Sequence, residues 1–266
     1  MRDTLGDRMK GQYEERFRFM LPRRTYTIVR VDGKAFHSYC RGLDRPYDLD
    51  LMSDMDVTAT VLCEQMQGAE FAYVQSDEIS VLLTDFAKTD TEAWFDGNLQ
   101  KIVSISAATA TMAFNRERAQ CSGRADAVFD ARAFTIPDPV EVENYFIWRQ
   151  QDATRNSISM AAQAKFSPKQ LHGVPSDQMQ EMLFQEHGIN WNDYPTGAKR
   201  GRAVIREVYT ADVDFTDRRT GEERIAEGVT RSRWVVVDPP VFTQDRAWLY
   251  SRIPQPEQPA VTRTGR

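Results

Sequence analysis

Two short acidic turns, each placed against apolar runs, constrain the fold of this chain more than any other feature. Asp32 and Asp77 occupy these turns, and the flanking apolar runs are residues 26–29, 71–74 and 79–83. Short β-branched and aromatic runs broken by Asp-Gly or Ser-Asp are typical of strands that end in loops. Magnesium prefers oxygen ligands, usually one or two carboxylates completed by substrate phosphates. Acids at strand ends therefore indicate a site for a hard cation.

The hydrophobic spacing of the first half predicts the order β-α-β-β-α-β, the split motif of ferredoxin-like folds. The predicted strands are 25–31, 70–75, 78–84 and 127–135, and the predicted helices are 46–67, where Pro46 suits the first turn, and 98–115. We therefore expect an α+β fold: a ferredoxin-like, polymerase-type palm with additional C-terminal helices and strands. In this topology the first two strands run parallel, so Asp32 and Asp77 should meet at one edge of the sheet.

Each turn also has a simpler interpretation. Asp-Gly is a common turn dipeptide, and Ser76-Asp77-Glu78 can simply cap a hairpin. Either motif alone favours a plain turn, whereas the two together at one edge of the sheet favour a metal site.

The length of 266 residues suits one large domain or a core domain with an extension. We expect a palm-like domain over 1–137, an extension of helices and strands over 138–252, and a proline-rich disordered tail over 253–266. Hydrophobic content is 41% and charged content 27%, with no apolar stretch near the roughly 20 residues of a membrane span. The N-terminus does not resemble a signal peptide. Three widely spaced cysteines indicate a reducing compartment, hence a cytoplasmic location, and no zinc site.

The formal net charge of −5 argues against generic binding to polyanions. A local basic face can nevertheless coexist with an acidic remainder. Basic residues do recur through the middle of the chain: Arg116, Arg118, Arg124, Arg132, Arg149, Arg155, Lys165, Lys169, Lys199, Arg200 and Arg202. Singly they are best explained as solvated helix faces, and collectively they predict salt-dependent contact with phosphates.

An ordered set of motifs spans most of the chain. It comprises VRVDGKAFH at 29–37, RPYD at 45–48, AYVQSDEIS at 72–80, Lys101, FDAR at 129–132, YFIWRQQD at 145–152, EMLF at 181–184 and NWN at 190–192. This set resembles the tRNA-His guanylyltransferase family, the nucleotidyl polymerases that work in the 3′-to-5′ direction. The resemblance implies tRNA as partner, ATP and GTP as substrates, and a homotetramer.

The acidic turns and the resemblance together predict a site. Two Mg²⁺ ions would be held by Asp32, Asp77 and the Gly33 carbonyl. Glu78 would be a further catalytic residue that supports these ligands without binding the metal itself. Nucleotide contacts are expected from Lys34, Ala35, Phe36, His37, Arg45, Ser76 and Lys101. The RNA 5′ end or a second nucleotide is expected at Arg132, Arg149, Asp152, Asn156, Lys199 and Arg200. Helical spacing puts three of these, Arg149, Asp152 and Asn156, on one face.

One block departs from the family pattern. Where eukaryotic members carry His-Ile-Asn-Asn-Leu-Tyr-Asn, this chain has TRNSISM at 154–160, and only Asn156 survives. The eukaryotic block is associated with untemplated addition of one guanylate to tRNA-His. Its absence points to the guanylyltransferase-like branch, whose members repair truncated tRNA 5′ ends using the opposite strand as template.

Other functions share parts of this pattern. A nucleotidyl cyclase or a forward palm polymerase could use the same sheet and carboxylates, although the chain lacks a Gly-Gly-Asp-Glu-Phe-like hairpin. A non-catalytic RNA-binding module can also be built on a split β-α motif, but such modules carry basic RNP motifs with aromatics on the sheet face, which this sequence lacks.

Overall fold

The centre of the protein is a six-stranded antiparallel sheet in the order β4-β1-β3-β2-β5-β6, seen in a computed structural model that describes residues 4–119, 125–216 and 218–256. The fold is therefore mixed α/β. The strands are β1 (Tyr26–Gly33), β2 (Ala69–Gln75), β3 (Glu78–Leu83), β4 (Phe129–Ile136), β5 (Arg202–Thr216) and β6 (Glu223–Val237).

Nine α-helical segments accompany the sheet in the described part of the chain. They are α1 (Leu5–Met9), α2 (Phe36–Tyr39), α3 (Leu49–Gln65), α4 (Leu99–Arg118), α5 (Pro139–Gln163), α6 (Pro168–Leu171), α7 (Ser176–His187), α8 (Thr196–Arg200) and α9 (Arg246–Tyr250). The predicted alternation of strands and helices up to β4 is present. Helix α3 begins later than predicted because Asp48, rather than Pro46, caps it: its Oδ1 accepts a hydrogen bond from the Leu51 amide at 2.7 Å.

The strand order decides where the acidic turns lie. β1 and β2 both pair antiparallel with β3, which lies between them, so β1 and β2 run in the same direction. Their C-terminal ends consequently share one end of the sheet. Asp32 is aligned with Glu78, and the Gly33 amide donates to the Asp77 carbonyl at 3.1 Å.

The two faces of the sheet carry different helices. Val29, Val31 and Val74 point to the side covered by α3 and α4, where a buried cluster includes Leu62 and Phe114. Alternate residues point to the other side, because side chains along a strand alternate between its faces. There Ile28, Phe71 and Leu82 pack against α5, α9 and Phe242.

A smaller buried cluster joins the C-terminal part of α5 to α6, α7 and Trp191. Beyond it, β5 and β6 form a long hairpin. Only residues 202–205 of β5 pair with β2, so most of this hairpin extends past the sheet.

The predicted disordered tail begins too early. Ile253 is buried in the core on the α5 side, and the Pro254 carbonyl accepts a hydrogen bond from the Tyr26 hydroxyl at 2.7 Å. The remainder of the predicted tail, 257–266, lies outside the described residues, as do Cys121 and Arg124. Among the helices that are described, none has the length and apolar character needed to cross a bilayer.

Candidate active site

The two predicted acids lie together at the end of β1. Asp32 is its penultimate residue, and its side chain is 36% exposed. Asp77 lies in the β2–β3 turn, where Ser76 adopts a φ of 49° and donates from its hydroxyl to Asp77 Oδ1 at 2.8 Å. Burial raises the pKa of Asp77, and the neighbouring charges of Asp32 and Glu78 raise it further. The arrangement concentrates negative charge that a cation would neutralise.

The chemistry of this pair fits a magnesium ion. Both side chains offer hard carboxylate oxygens, the ligand type that magnesium prefers. Across residues 4–119, 125–216 and 218–256, no group of three or more His, Cys, Asp or Glu side chains is placed to hold a metal. Oxygens of substrate or water would therefore have to complete the coordination shell.

A cation already borders the pair. Nη2 of Arg132 lies 3.6 Å from Asp32 Oδ2 and 3.5 Å from Asp130 Oδ1. The pairing of β1 with β4 sets this contact, because Asp32 is aligned with Asp130 and Arg30 with Arg132. The Arg132 side chain is half exposed, so its guanidinium remains accessible to a phosphate.

Glu78 is engaged by Arg149 rather than directed at the acid pair. Arg149 Nε donates to Oε1 at 2.8 Å and Nη2 donates to Oε2 at 2.7 Å. The same Nη2 donates to Asp152 at 3.0 Å. Both Glu78 and Arg149 are buried. This placement does not support direct contact between Arg149 and the RNA 5′ end, because its guanidinium is occupied inside the protein.

The other predicted members of this helix face are accessible. Asp152 accepts a hydrogen bond from Arg155 at 2.6 Å and another from Asn156 at 3.4 Å, so the three side chains form a connected group. Burial acts to raise the pKa of Asp152, but Arg155 and Arg149 together hold that pKa below its ordinary value. Asp152 therefore stays ionised at neutral pH.

The structure of the loop after β1 corrects the prediction made for Phe36. Phe36 is only 4% exposed and packs among Tyr39, Phe114 and Phe129, so its ring is not available to stack on a base. That packing also explains Gly33, because a Cβ at this position would lie 2.2 Å from the Phe36 ring. The requirement for glycine is thus set by the ring beneath it, whatever its carbonyl binds.

The remaining predicted loop residues are exposed. Lys34 has an exposed side chain, while its amide donates to the Val128 carbonyl at 2.8 Å and ties the loop to the start of β4. Ala35 adopts a φ of 56°, which turns the chain into α2. His37 and Arg45 are exposed.

Lys101 lies at the opposite end of the sheet. It is in the first turn of α4, and the next residue, Ile102, borders a pocket with Thr27 and Leu83. Thr27 and Asp32 are separated by about 17 Å along β1 at the usual rise of a strand. The structure therefore does not bring Lys101 to the acids of its own chain.

Much of the predicted basic face is internal. Arg118 pairs with Asp54 at 2.9 Å, and Arg202 pairs with Asp56. Lys199 is buried and donates to the Asn192 carbonyl. Arg200 lies 5.8 Å from the Trp191 ring. Exposed cations on the elements around the acidic turns instead include Lys34, Arg132 and Arg155.

A cleft of about 550 Å³ adjoins the acid turn, and most of its lining could not be identified from the sequence. It lies between the start of α3, the β2–β3 turn, α5 and α8, and its lining includes Tyr47, Met52, Gln75, Ser76, Asn156 and Met160. Burial raises the pKa of Tyr47 to about 12, so its hydroxyl stays protonated and donates to the Ser157 carbonyl at 2.8 Å. Tyr47, Gln75 and Ser76 lie in sequence motifs, but no motif shows that they share one cleft with Met52 and Met160, because four separate elements supply the lining.

Paired carboxylates at adjacent strand ends, bordered by exposed cations, are suited to phosphoryl or nucleotidyl transfer. The protein is a nucleotidyltransferase, as comparison with known proteins shows. A family model described as tRNAHis guanylyltransferase matches residues 6–137. The tRNA(His) guanylyltransferase of Debaryomyces hansenii is 32% identical, over 77% of this chain and 82% of its own length. The chain therefore belongs to the tRNA-His guanylyltransferase family.

Solved structures agree with this assignment. A bacterial tRNA(His) guanylyltransferase-like protein in complex with ATP is 43% identical, with a TM-score of 0.81, over 94% of this chain and 99% of that one. A bacterial tRNA(His) guanylyltransferase-like protein in complex with GTP is 40% identical with a TM-score of 0.77, covering 94% of this chain and 99% of that chain. The Saccharomyces cerevisiae enzyme, 24% identical over 74% of this chain and 93% of its own with a TM-score of 0.63, shares the fold.

Proposed function

We propose that this protein adds nucleotides in the 3′-to-5′ direction to the 5′ end of a tRNA, choosing each nucleotide by pairing with the opposite strand. The observation that carries the proposal is the meeting of Asp32 and Asp77 at one end of the sheet in a chain of this family. ATP and GTP are proposed as substrates, since bacterial relatives bind them in solved structures.

The strand order supports the palm interpretation. The first four strands are arranged β4-β1-β3-β2, with α3 and α4 covering one face, as in a ferredoxin-like split motif. We propose that residues 1–137 form this catalytic palm and that residues from 138 contribute RNA and nucleotide contacts from the opposite face.

Nucleotidyl transfer needs alignment and charge neutralisation more than covalent help from the protein. Asp32 and Asp77 would hold magnesium, with the Gly33 carbonyl as a further ligand; bound magnesium supplies Lewis-acid stabilisation of the reacting phosphate and lowers the pKa of the attacking hydroxyl. Lys34 and Arg45, both exposed on the adjoining loop, would neutralise triphosphate oxygens. Arg132 would face the RNA 5′ phosphate from the other side of Asp32.

Glu78 and Arg149 have a positioning role in this proposal. Glu78 directly follows Asp77 and begins β3, so the buried Arg149 fixes the acidic turn through Glu78. Asp152 and Asn156, on the exposed side of the same helix, remain candidates for the second nucleotide or the RNA end.

The altered block supports template dependence. Thr154 donates to the Gln150 carbonyl at 3.0 Å, Ser157 to the Lys199 carbonyl at 3.0 Å, and Ser159 to the Arg155 carbonyl at 3.0 Å. These hydroxyls are therefore satisfied within the protein. With few side chains available to read an unpaired guanine, the opposing base must supply the specificity.

The test offers each of the four nucleotides to truncated tRNAs that differ only at the opposing base, with 5′ incorporation measured on gels. A mismatched base leaves polar edges unpaired, which costs about 1–3 kcal/mol per group, so we expect roughly tenfold or greater preference for the complementary nucleotide. Equal incorporation of guanylate opposite every base would instead indicate untemplated tRNA-His guanylylation.

We also propose a homotetramer and a cytoplasmic location, which sedimentation and fractionation can test.

A further inference from the structure

Trp148 differs from every other tryptophan in this protein. All five tryptophans lie within the described residues, and only Trp148 is exposed, with 47% of its surface accessible. Leaving so large an aromatic side chain in water forgoes the hydrophobic stabilisation that burial would provide. The exposed ring therefore offers a ligand an apolar surface to cover.

Two neighbouring side chains of the same helix, Arg149 and Tyr145, contact the Trp148 ring. The Arg149 guanidinium lies 4.4 Å from its centroid, and Tyr145 meets it edge to face at 5.9 Å. Arg149 is itself fixed by Glu78 and Asp152. In the described part of the chain no other ring or guanidinium stacks on Trp148. One side of the indole is thus braced by a buried ion pair, and much of the remainder faces solvent.

The position of Trp148 along α5 puts it level with the acid pair. Tyr145 bonds to Ser80 through its hydroxyl at 2.8 Å, and one helical turn later Arg149 bonds to Glu78. Helix α5 therefore follows β3 toward the residue aligned with Asp32. Trp148, between these two contacts, is at the same end of the sheet.

Two exposed cations lie on the elements around Trp148. Tyr145 contacts Phe134 on β4 at 5.7 Å, and Arg132 lies two residues from Phe134 on the same face of that strand. Arg155, which is 61% exposed, follows Trp148 by two turns of α5. An exposed aromatic surface with accessible guanidinium groups on the neighbouring strand and further along its own helix matches the chemistry of a nucleotide, which has a π-face and a phosphate.

We propose that Trp148 is a stacking platform for a nucleobase at this site. The inference rests on the proposed function for the identity of the ligand, because either the RNA end or the incoming nucleoside triphosphate could supply the base. Stacking of one base on an aromatic side chain changes affinity by about 5- to 150-fold when the ring is removed. Stacking tolerates every base, so the platform complements selection of the base by a template strand.

The variants are Trp148→Leu, which keeps bulk above Arg149 but removes the π-face, and Trp148→Phe, which keeps an aromatic ring. Trp234→Leu is the matched control. The guanidinium of Arg206 lies 5.0 Å from the Trp234 ring, but Trp234 is on the β5–β6 hairpin. Circular dichroism melts check that each variant is folded.

Dissociation constants are measured for two pairs of ligands. The RNA arm compares a tRNA with a normal 5′-terminal nucleotide and one whose 5′-terminal nucleotide lacks its base. The nucleotide arm compares GTP with inorganic tripolyphosphate. We expect Trp148→Leu to weaken binding of the base-bearing ligand about 5- to 150-fold in one arm, with little change for its baseless partner. Trp148→Phe should retain most of the affinity.

The arm that responds identifies the source of the base. Equal losses for base-bearing and baseless ligands would overturn the proposal, because Trp148 would then only support Arg149. Unchanged affinity in both arms would overturn it as well. If base-dependent binding is lost in Trp148→Leu but wild-type protein transfers no nucleotide, the platform stands and the proposed function fails.

Discussion

Arg149 donates two hydrogen bonds to Glu78, of 2.8 and 2.7 Å, in the protein interior beside the turn that carries Asp77. Glu78 also accepts from Gln75 at 3.2 Å, so both ends of the turn that carries Asp77 are tied to the same carboxylate. An ion pair buried in this way is costly to break, because removal of one partner leaves an uncompensated charge.

We therefore predict that Arg149→Met destabilises the protein by about 3–5 kcal/mol, measured by urea denaturation. Arg155→Ala is the control on the same helix; its guanidinium is exposed, and we expect a change within about 0.5 kcal/mol. The double variant Glu78→Met/Arg149→Met should lose less stability than Arg149→Met, since the buried Glu78 carboxylate is then no longer left without Arg149. An Arg149→Met protein as stable as wild type would contradict a structural role for the pair.

Substitution of Asp32 or Asp77, unlike that of Arg149, should lower activity without lowering stability. Asp32→Asn and Asp77→Asn remove mutual repulsion, which contributes to the raised pKa of Asp77, so neither should destabilise the protein in the absence of metal. Each should lower nucleotidyl transfer at least about 100-fold, because metal stabilisation of a transferring phosphate is worth several kcal/mol.

Incorporation assays in magnesium buffer and thermal melts in EDTA make this comparison. Asp130→Asn is the matched control: Asp130 also contacts Arg132 but is absent from the proposed ligand set. Substantial activity in either Asp32→Asn or Asp77→Asn would remove the basis for the site.

Gly33→Ala tests the packing under the loop. Its Cβ would lie 2.2 Å from the Phe36 ring, and overpacking of this kind typically costs about 1–3 kcal/mol. Gly11→Ala is the control, because nothing lies within 4 Å of its Cβ. Adding Phe36→Leu to Gly33→Ala should restore part of the stability in urea melts. No rescue would mean that the glycine is needed for another reason.

The sequence specified the fold better than it specified the roles of charged residues. Strand and helix order follows from local periodicity, and the convergence of Asp32 and Asp77 follows from that order. Arg149 and Lys199 look like any surface cation in a sequence, because burial of a charge depends on partners far along the chain, such as Glu78. The cleft at Tyr47 and Met160 was likewise hidden, since it exists only once α3, α5 and α8 are assembled.

Two lysines separate what the family resemblance implies from what the geometry supports. Lys34 is exposed beside Asp32, whereas Lys101 precedes Ile102, which borders Thr27 at the other end of β1, about 17 Å along the strand from Asp32. At that distance, beyond a Debye length of about 8 Å in physiological salt, a solvent-exposed charge is largely screened. We therefore expect Lys34→Ala to raise the KM for the nucleoside triphosphate about 10- to 150-fold, corresponding to loss of one charge-assisted contact, and Lys101→Ala to change it less than about twofold. Steady-state kinetics with the triphosphate varied at saturating tRNA measure both.

A large KM increase for Lys101→Ala would show that Lys101 does reach a triphosphate, in which case a second copy of the chain must bring it there. Mixing Lys101→Ala with Asp32→Asn protein tests that possibility, because activity would then reappear only in hybrids where one chain supplies the acids and the other the lysine.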